Sequence, residues 1–221
     1  MKLTPLGDQA VLAYLSDEAA AVRFAAAVRA AAAPWITDVV PAYASVGVYF
    51  DADHIRPRDV VTYLTGLGTV ESDTQPAADG PAVHVIPVCY EMHLDLPRVA
   101  GQTGLTAEQV IALHTGAEYT VYAIGFVPGF PYLGYLPEPL QGVGRLPSPR
   151  VRVEPGSVGL TGRQTGVYPL PRPGGWNIVG RTPLTLVDVA AGYFPLRVGD
   201  TVRFARIDAA EFGRLDGERL A

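Results

Sequence analysis

Between Gly125 and Arg181 the chain sets six arginines, Arg145, Arg150, Arg152, Arg163, Arg172 and Arg181, against two carboxylates, Glu138 and Glu154. The same stretch holds 12 of the 24 glycines and 10 of the 20 prolines. Guanidinium groups beside glycine-exposed backbone amides suit the binding of a carboxylate or phosphate, because arginine pairs bidentately and clustered N–H groups add donors. The same residue types also serve a solvated barrel face, where glycine supplies positive φ angles, or a protein interface. Both uses stay open on composition. Inside the stretch, Gly125-Phe126-Val127-Pro128-Gly129-Phe130-Pro131-Tyr132-Leu133-Gly134-Tyr135 mixes glycine, proline and aromatics densely enough to preset the backbone. Rigidity of that kind serves a binding site, an interface, or an aromatic-packed end of a barrel.

Familiar catalytic signatures are excluded by spacing. Pro155-Gly156-Ser157-Val158-Gly159 has proline where a serine nucleophile elbow needs its first glycine. Gly142-x-Gly144 reaches Pro147 in place of a third glycine, and Lys2 is the only lysine, so neither a dinucleotide fingerprint nor a Walker loop is present. His54, His84, His93 and His114 show no i,i+4 pairing, and no metal site is expected. His114 sits in the last turn of an expected helix, where the macrodipole favours a histidine, just upstream of Tyr119, Tyr122 and the aromatic loop. The single cysteine, Cys89, reads as a small buried residue of a strand, and it excludes a disulfide framework.

The elements that must position these residues are bounded by length. At 221 residues the chain makes one large or two modest domains, and 48% hydrophobic with 18% charged residues and a mean hydropathy of +0.18 is a globular composition. A net charge of -5 argues against nucleic acid as a partner. Gly7-Asp8 interrupts the N-terminus before an apolar signal core builds up, and Arg23, Arg29 and Pro34 break the alanine-rich run 19–36, so neither export nor membrane insertion is expected and the cytoplasm is the expected location.

Residues 1–80 are expected to form an α+β domain and 81–221 a mostly-β domain. In the first, a strand at 9–15, a helix from Glu18 to Ala33 capped by Ser16 or Asp17, strands at 36–40 and 45–50, a helix starting at Pro57 and a strand at 83–88 read as a ferredoxin-like βαββαβ layout. The segment 71–81 reads as a linker or exposed loop. Short helices are expected at 97–100 and at 107–115, the latter with a Thr106-x-x-Gln109 capping box and Gly116 at its end. Beyond Gly125, short β-prone runs at 151–153, 158–160, 185–189 and 201–204 suggest a Greek-key sandwich or small barrel.

Several separately spaced motifs then occur in one order: Leu113-His114-Thr115, Tyr119 and Tyr122, Gly125-Phe126-x-Pro128-Gly129-Phe130-Pro131-Tyr132-Leu133, Pro149-Arg150, Gly156-Ser157-Val158-Gly159, Gln164-Thr165-Gly166-x-Tyr168-Pro169, and Pro173-Gly174-Gly175-Trp176-x-x-x-Gly180-Arg181-Thr182-Pro183. In these the chain resembles the allophanate hydrolase subunit 1 family, which includes the B component of the prokaryotic 5-oxoprolinase and an inhibitor of the sporulation sensor kinase. The resemblance covers about residues 83–205. It implies a cyclophilin-like barrel, without implying isomerase activity. It further implies ATP-dependent opening of the 5-oxoproline lactam to glutamate, with Mg2+ supplied at the complex, by a chain inactive alone. Its implied partners are a homologue of allophanate hydrolase subunit 2, which is the C component of the oxoprolinase, and a homologue of the A component.

Within the resembling motifs, Arg150, Gln164, Thr165, Tyr168, Trp176 and Arg181 are the expected substrate or nucleotide ligands, and His114 the expected catalytic residue, orienting or relaying a proton. Two other functions are implied by the same family: inhibition of a sensor histidine kinase, and a part in allophanate or urea-amide hydrolysis. The chain departs from the family pattern at Arg163, where a second glycine is common, and at Glu154, where a small or apolar residue is common.

Overall fold

The computed structural model describes residues 1–69 and 81–220, so the expected linker lies outside the described residues apart from Pro81. Two compact units follow one another, Met1–Pro81 and Ala82–Ala221. No helix among the described residues is long and apolar enough to cross a membrane.

The first unit begins with a hairpin, β1 (Lys2–Pro5) and β2 (Ala10–Tyr14), turned at Gly7 with φ +67°. Helix α1 (Glu18–Ala30) is started by Asp17, whose carboxylate accepts from the Ala20 N–H at 2.7 Å. Its buried residues Ala21, Phe24, Ala25 and Val28 follow the i, i+3, i+4, i+7 spacing of one helical face. The helix stops at Ala30, three residues before the expected end, where Ala32 turns to φ +47°. Strands β3 (Ile36–Ala42) and β4 (Ser45–Phe50) and helix α2 (Pro57–Thr69) complete the unit. The sheet runs β1-β2-β4-β3, antiparallel throughout, and Val11, Val46, Val48 and Phe50 pack against Phe24, Val28, Val60 and Leu64.

This order corrects the expected βαββαβ layout. The observed sequence of elements is ββαββα, and β1 occupies the sheet edge beside β2 that a closing sixth element would have taken. The strand expected to close it, 83–88, is present but belongs to the second unit.

That unit opens with β5 (Val83–Cys89), followed by α3 (Leu96–Thr103), α4 (Ala107–Thr115), β6 (Glu118–Ile124), β7 (Pro131–Gly134), β8 (Arg150–Val153), β9 (Ser157–Thr161), β10 (Gln164–Val167), β11 (Arg172–Gly174), β12 (Asn177–Arg181), β13 (Thr201–Ile207) and α5 (Ala209–Leu215). Seven strands close into a mixed barrel in the order β10-β7-β6-β13-β5-β12-β9. The pair β5–β13 is parallel, in register from Val83–Thr201 to Cys89–Ile207. Alternation along the strands turns Ile86, Val88, Val121, Leu133, Leu160, Val202 and Phe204 inward, while Leu96, Val99, Val110 and Ile111 of α3 and α4 pack on the same core. The capping box of α4 is present: Gln109 N–H donates to Thr106 Oγ1 at 3.2 Å, and Thr106 N–H to Gln109 Oε1 at 2.8 Å.

Among the described residues, strands β8 and β11 pair only with each other and form a flap outside the barrel. The strand expected at 185–189 does not form. Thr185 and Asp188 each make a single bridge, to Arg219 and Tyr193, because the local β-prone pattern finds no neighbouring strand edge to join.

Candidate functional site

Two groups of aromatic and titratable residues stand out in the barrel unit. In the first, the α4 terminus drives His114 into the core between β6 and β13, where it is wholly buried and stacks on Phe204 with ring centroids 4.5 Å apart. Thr165 Oγ1 spends its single proton on the Gly159 carbonyl at 3.0 Å, so it accepts from His114 Nε2–H at 2.9 Å. Nδ1 is then the acceptor for the Tyr90 hydroxyl at 2.7 Å, while the Tyr119 hydroxyl donates to the His114 carbonyl at 2.9 Å. Burial pushes the imidazole down to about 3 and pushes the Tyr90 and Tyr119 hydroxyls up, so the string is neutral over the physiological range. Both ring nitrogens are committed and none of the ring meets solvent. The arrangement holds His114 in the barrel core through Tyr90 and Thr165.

The second group is open. Phe126, Phe130, Tyr132, Arg145, Tyr168 and Trp176 line a cleft of about 300 Å³. Its inner rings meet edge to face: Phe130 lies 5.2 Å from Tyr168 and 5.4 Å from Trp176, a mutual orientation that fixes the wall. Close backbone approach holds these rings in place. A Cβ on Gly174 would lie 2.4 Å from the Tyr168 hydroxyl, and one on Gly166 would lie 2.7 Å from the Pro131 carbonyl and 3.2 Å from the Trp176 ring. Phe126, 58% exposed, keeps φ +65°, a conformation uncommon for a residue with a side chain. Burial raises the Tyr168 hydroxyl, while the Trp176 backbone and the charges of Arg145 and Arg150 act the other way.

The residues expected to bind ligand therefore do not converge on one site. Tyr168 and Trp176 line the cleft, whereas Thr165 belongs to the buried string. Gln164 opens β10 opposite Gly134 and Thr161. Arg150 Nη2 donates to Asp95 at 2.6 Å, and the other Asp95 oxygen accepts from the Ile178 N–H at 2.7 Å, which ties the flap to α3 and β12. Arg181 donates from Nε to the Pro155 carbonyl at 3.0 Å and lines a separate hollow with Thr182, Pro183 and Asp216. Of the other arginines, Arg152 pairs with Glu154, and Arg163 lies over the Tyr135 ring with 4.0 Å to its centroid. Arg145 lines the cleft, exposed, and makes no hydrogen bond or ion pair among the described residues.

Sequence reasoning did not select Phe130 or Arg145 individually. The density of glycine, proline and aromatics at 125–135 was the signal for the first, and the arginine excess was the signal for the second. No local signal marks Asp95, because its partner Arg150 is 55 positions away. Among the described residues no group of three or more His, Cys, Asp or Glu side chains is placed to hold a metal ion.

A model of the carboxyltransferase domain, subdomain C and D, matches residues 1–194. The chain is 37% identical over 190 residues to the B component of 5-oxoprolinase from Bacillus subtilis strain 168, covering 81% of this chain and 79% of that one. It is 53% identical over 111 residues to the B component of 5-oxoprolinase from Escherichia coli O157:H7, covering 50% of either protein. The solved structure of TTHA0988 matches with a TM-score of 0.77 at 38% identity, over 91% of this chain and 40% of that one. The chain thus spans half of the E. coli relative and less than half of TTHA0988.

Proposed function

We propose that this chain, which belongs to the carboxyltransferase subdomain C and D family and, within it, to the family of allophanate hydrolase subunit 1 and the 5-oxoprolinase B component, is the B component of an ATP-dependent 5-oxoprolinase. In this reading it opens 5-oxo-L-proline to L-glutamate in the cytoplasm, together with homologues of the C and A components, and is inactive alone. The observation that carries the reading is the 37% identity to a 5-oxoprolinase B component over 81% of the chain.

A lactam is a stabilised amide. Phosphorylation of its oxygen by ATP lets water add to the carbonyl carbon and the ring C–N bond break, releasing phosphate and the glutamate amine. The donor set of the cleft, one guanidinium with phenols and an indole, does not match a triphosphate and its Mg2+. In this reading ATP is therefore held by the partner proteins, and this chain contributes to holding the organic substrate. The barrel's cyclophilin-like kinship belongs to the same reading and brings no isomerase activity with it.

The test is glutamate production from 5-oxoproline and ATP by the chain alone and mixed with homologues of the C and A components. Turnover only in the full mixture is the expected result. A stable, folded assembly that yields no glutamate overturns the reading.

A further inference from the structure

The arginines near the cleft differ in what they have left to bind. Arg150 holds Asp95 through Nη2 while its buried Nη1 has no partner among the described residues, Arg152 pairs with Glu154, Arg181 donates from Nε to the Pro155 carbonyl, and Arg163 lies over the Tyr135 ring. Arg145 alone among these combines a place in the cleft lining with a guanidinium that makes no hydrogen bond or ion pair among the described residues. A free guanidinium offers a planar fork of N–H donors that matches a carboxylate at two oxygens.

The rest of the lining is largely aromatic, proline and glycine. Tyr168 and Trp176 are 2% and 4% exposed as residues, yet both border the cleft, and Phe130 packs edge to face against each of them. Phe126 stands at the rim with its ring edge-on to Phe130 and Tyr168. A volume of about 300 Å³ lies at the small end of ligand clefts, the size for one ring and its substituents.

We propose that this cleft binds a small cyclic amide bearing one carboxylate, with the carboxylate on Arg145 and the ring against Tyr168 and Trp176. The assignment rests on the reading of the chain as part of a 5-oxoprolinase and adds to it the place of substrate capture and the residue that selects the acid. Arg145 acts on the ligand group that does not react, so its loss should appear in binding and KM before it appears in kcat.

The experiment compares 5-oxoproline with 2-pyrrolidinone, the same lactam without its carboxylate, on the full chain by calorimetry and on the reconstituted complex by KM. For Arg145→Ala, 5-oxoproline binding is expected to weaken about 10- to 100-fold, the range for losing a charge-assisted hydrogen-bonded pair. The weak binding of 2-pyrrolidinone should be unchanged. Arg145→Lys should recover part of the loss, because charge returns without the fork. Arg172→Ala, a nearby exposed arginine outside the lining, should leave both ligands within about twofold of the unaltered chain.

Equal weakening of both ligands, or 5-oxoproline binding and KM untouched by Arg145→Ala, overturns the assignment. An unaltered chain that binds neither ligand, in a complex whose KM ignores Arg145→Ala, overturns it as well. The two layers fail separately. A complex that makes glutamate with a KM indifferent to Arg145 keeps the function and removes this site. A cleft that selects the acid through Arg145, in a complex that makes no glutamate, keeps the site and removes the function.

Discussion

The string Tyr90–His114–Thr165 and the cleft of Phe130, Tyr168, Trp176 and Arg145 are built from overlapping residue types within one barrel unit, yet their polar atoms are in opposite states. In the string each donor meets an acceptor, the imidazole is sealed from solvent, and burial holds it neutral. In the cleft the rings are packed by their neighbours while the guanidinium at the edge has no protein partner among the described residues. Saturated polar groups in a low-dielectric interior specify a fold, and leaving one unpaired there is costly. A charge held in solvent beside a preformed apolar wall costs little to keep and remains available to a ligand. Titratable residue type alone does not separate the two cases; the count of unspent hydrogen bonds does.

The widest gap between the two regions should appear on removal of His114. His114→Ala opens a cavity and strands the Tyr90 and Thr165 hydroxyls, an expected loss of about 3–5 kcal/mol in denaturant unfolding. A loss under about 1 kcal/mol would show that the string does not hold the barrel. Next comes Asp95→Ala, which leaves the partly buried Arg150 and the Ile178 N–H without their acceptor. About 2–3 kcal/mol is expected, less than for a fully buried pair because Arg150 is 26% exposed. Gly174→Ala drives a methyl group into the Tyr168 hydroxyl and should cost about 1–2 kcal/mol while also weakening ligand binding, so it sharpens the link between flap and cleft.

Acid provides a smaller, graded test. The unfolded imidazole of His114 takes a proton below its ordinary 6.5, whereas the buried one resists to about 3. The unfolded state therefore binds more protons in that window. This contribution to stability is intact above 6.5 and falls by roughly 1 kcal/mol per unit as pH drops from there toward 3. Proton uptake measured on unfolding at pH 5 should lessen in a His114→Phe variant that still folds, and an unchanged uptake would remove His114 as its source. The smallest effect belongs to Arg145→Ala, whose stability should stay within about 0.5 kcal/mol of the unaltered chain even as its ligand binding falls.

Local chemistry was legible where it acts over one turn. The Thr106–Gln109 capping box, the Asp17 cap, the helix start at Pro57 and the helix at 107–115 follow from residues three or four apart, although the helix expected to stop at Gly66 and Gly68 runs on to Thr69. Pairing over long separations was not. The alternation at 83–88 correctly reads as a strand, but nothing in it names 201–207 as its parallel partner, so the strand was credited to the wrong unit. The early hairpin was missed because Lys2–Pro5 is short and proline-ended, and its edge place depends on β2. The arginine excess was visible as composition, yet which guanidinium remains free depends on acceptors such as Asp95, contributed from distant segments. Tyr168 and Trp176 were selected from their motifs and do line the cleft. His114 was selected by type, and its burial depends on β6 and β13 closing around it.

The two tryptophans allow the central claim to be tested in one titration, because Trp176 lines the cleft and Trp35 lies in the other unit, packed on Tyr63. Indole N–H resonances of the full chain, assigned with Trp35→Phe, would be followed as 5-oxoproline is added. Binding in the cleft predicts a saturable shift of the Trp176 signal with Trp35 unmoved, and a much reduced shift in Arg145→Ala. A Trp176 signal that stays in place at saturating 5-oxoproline, or moves alike with and without Arg145, contradicts the account.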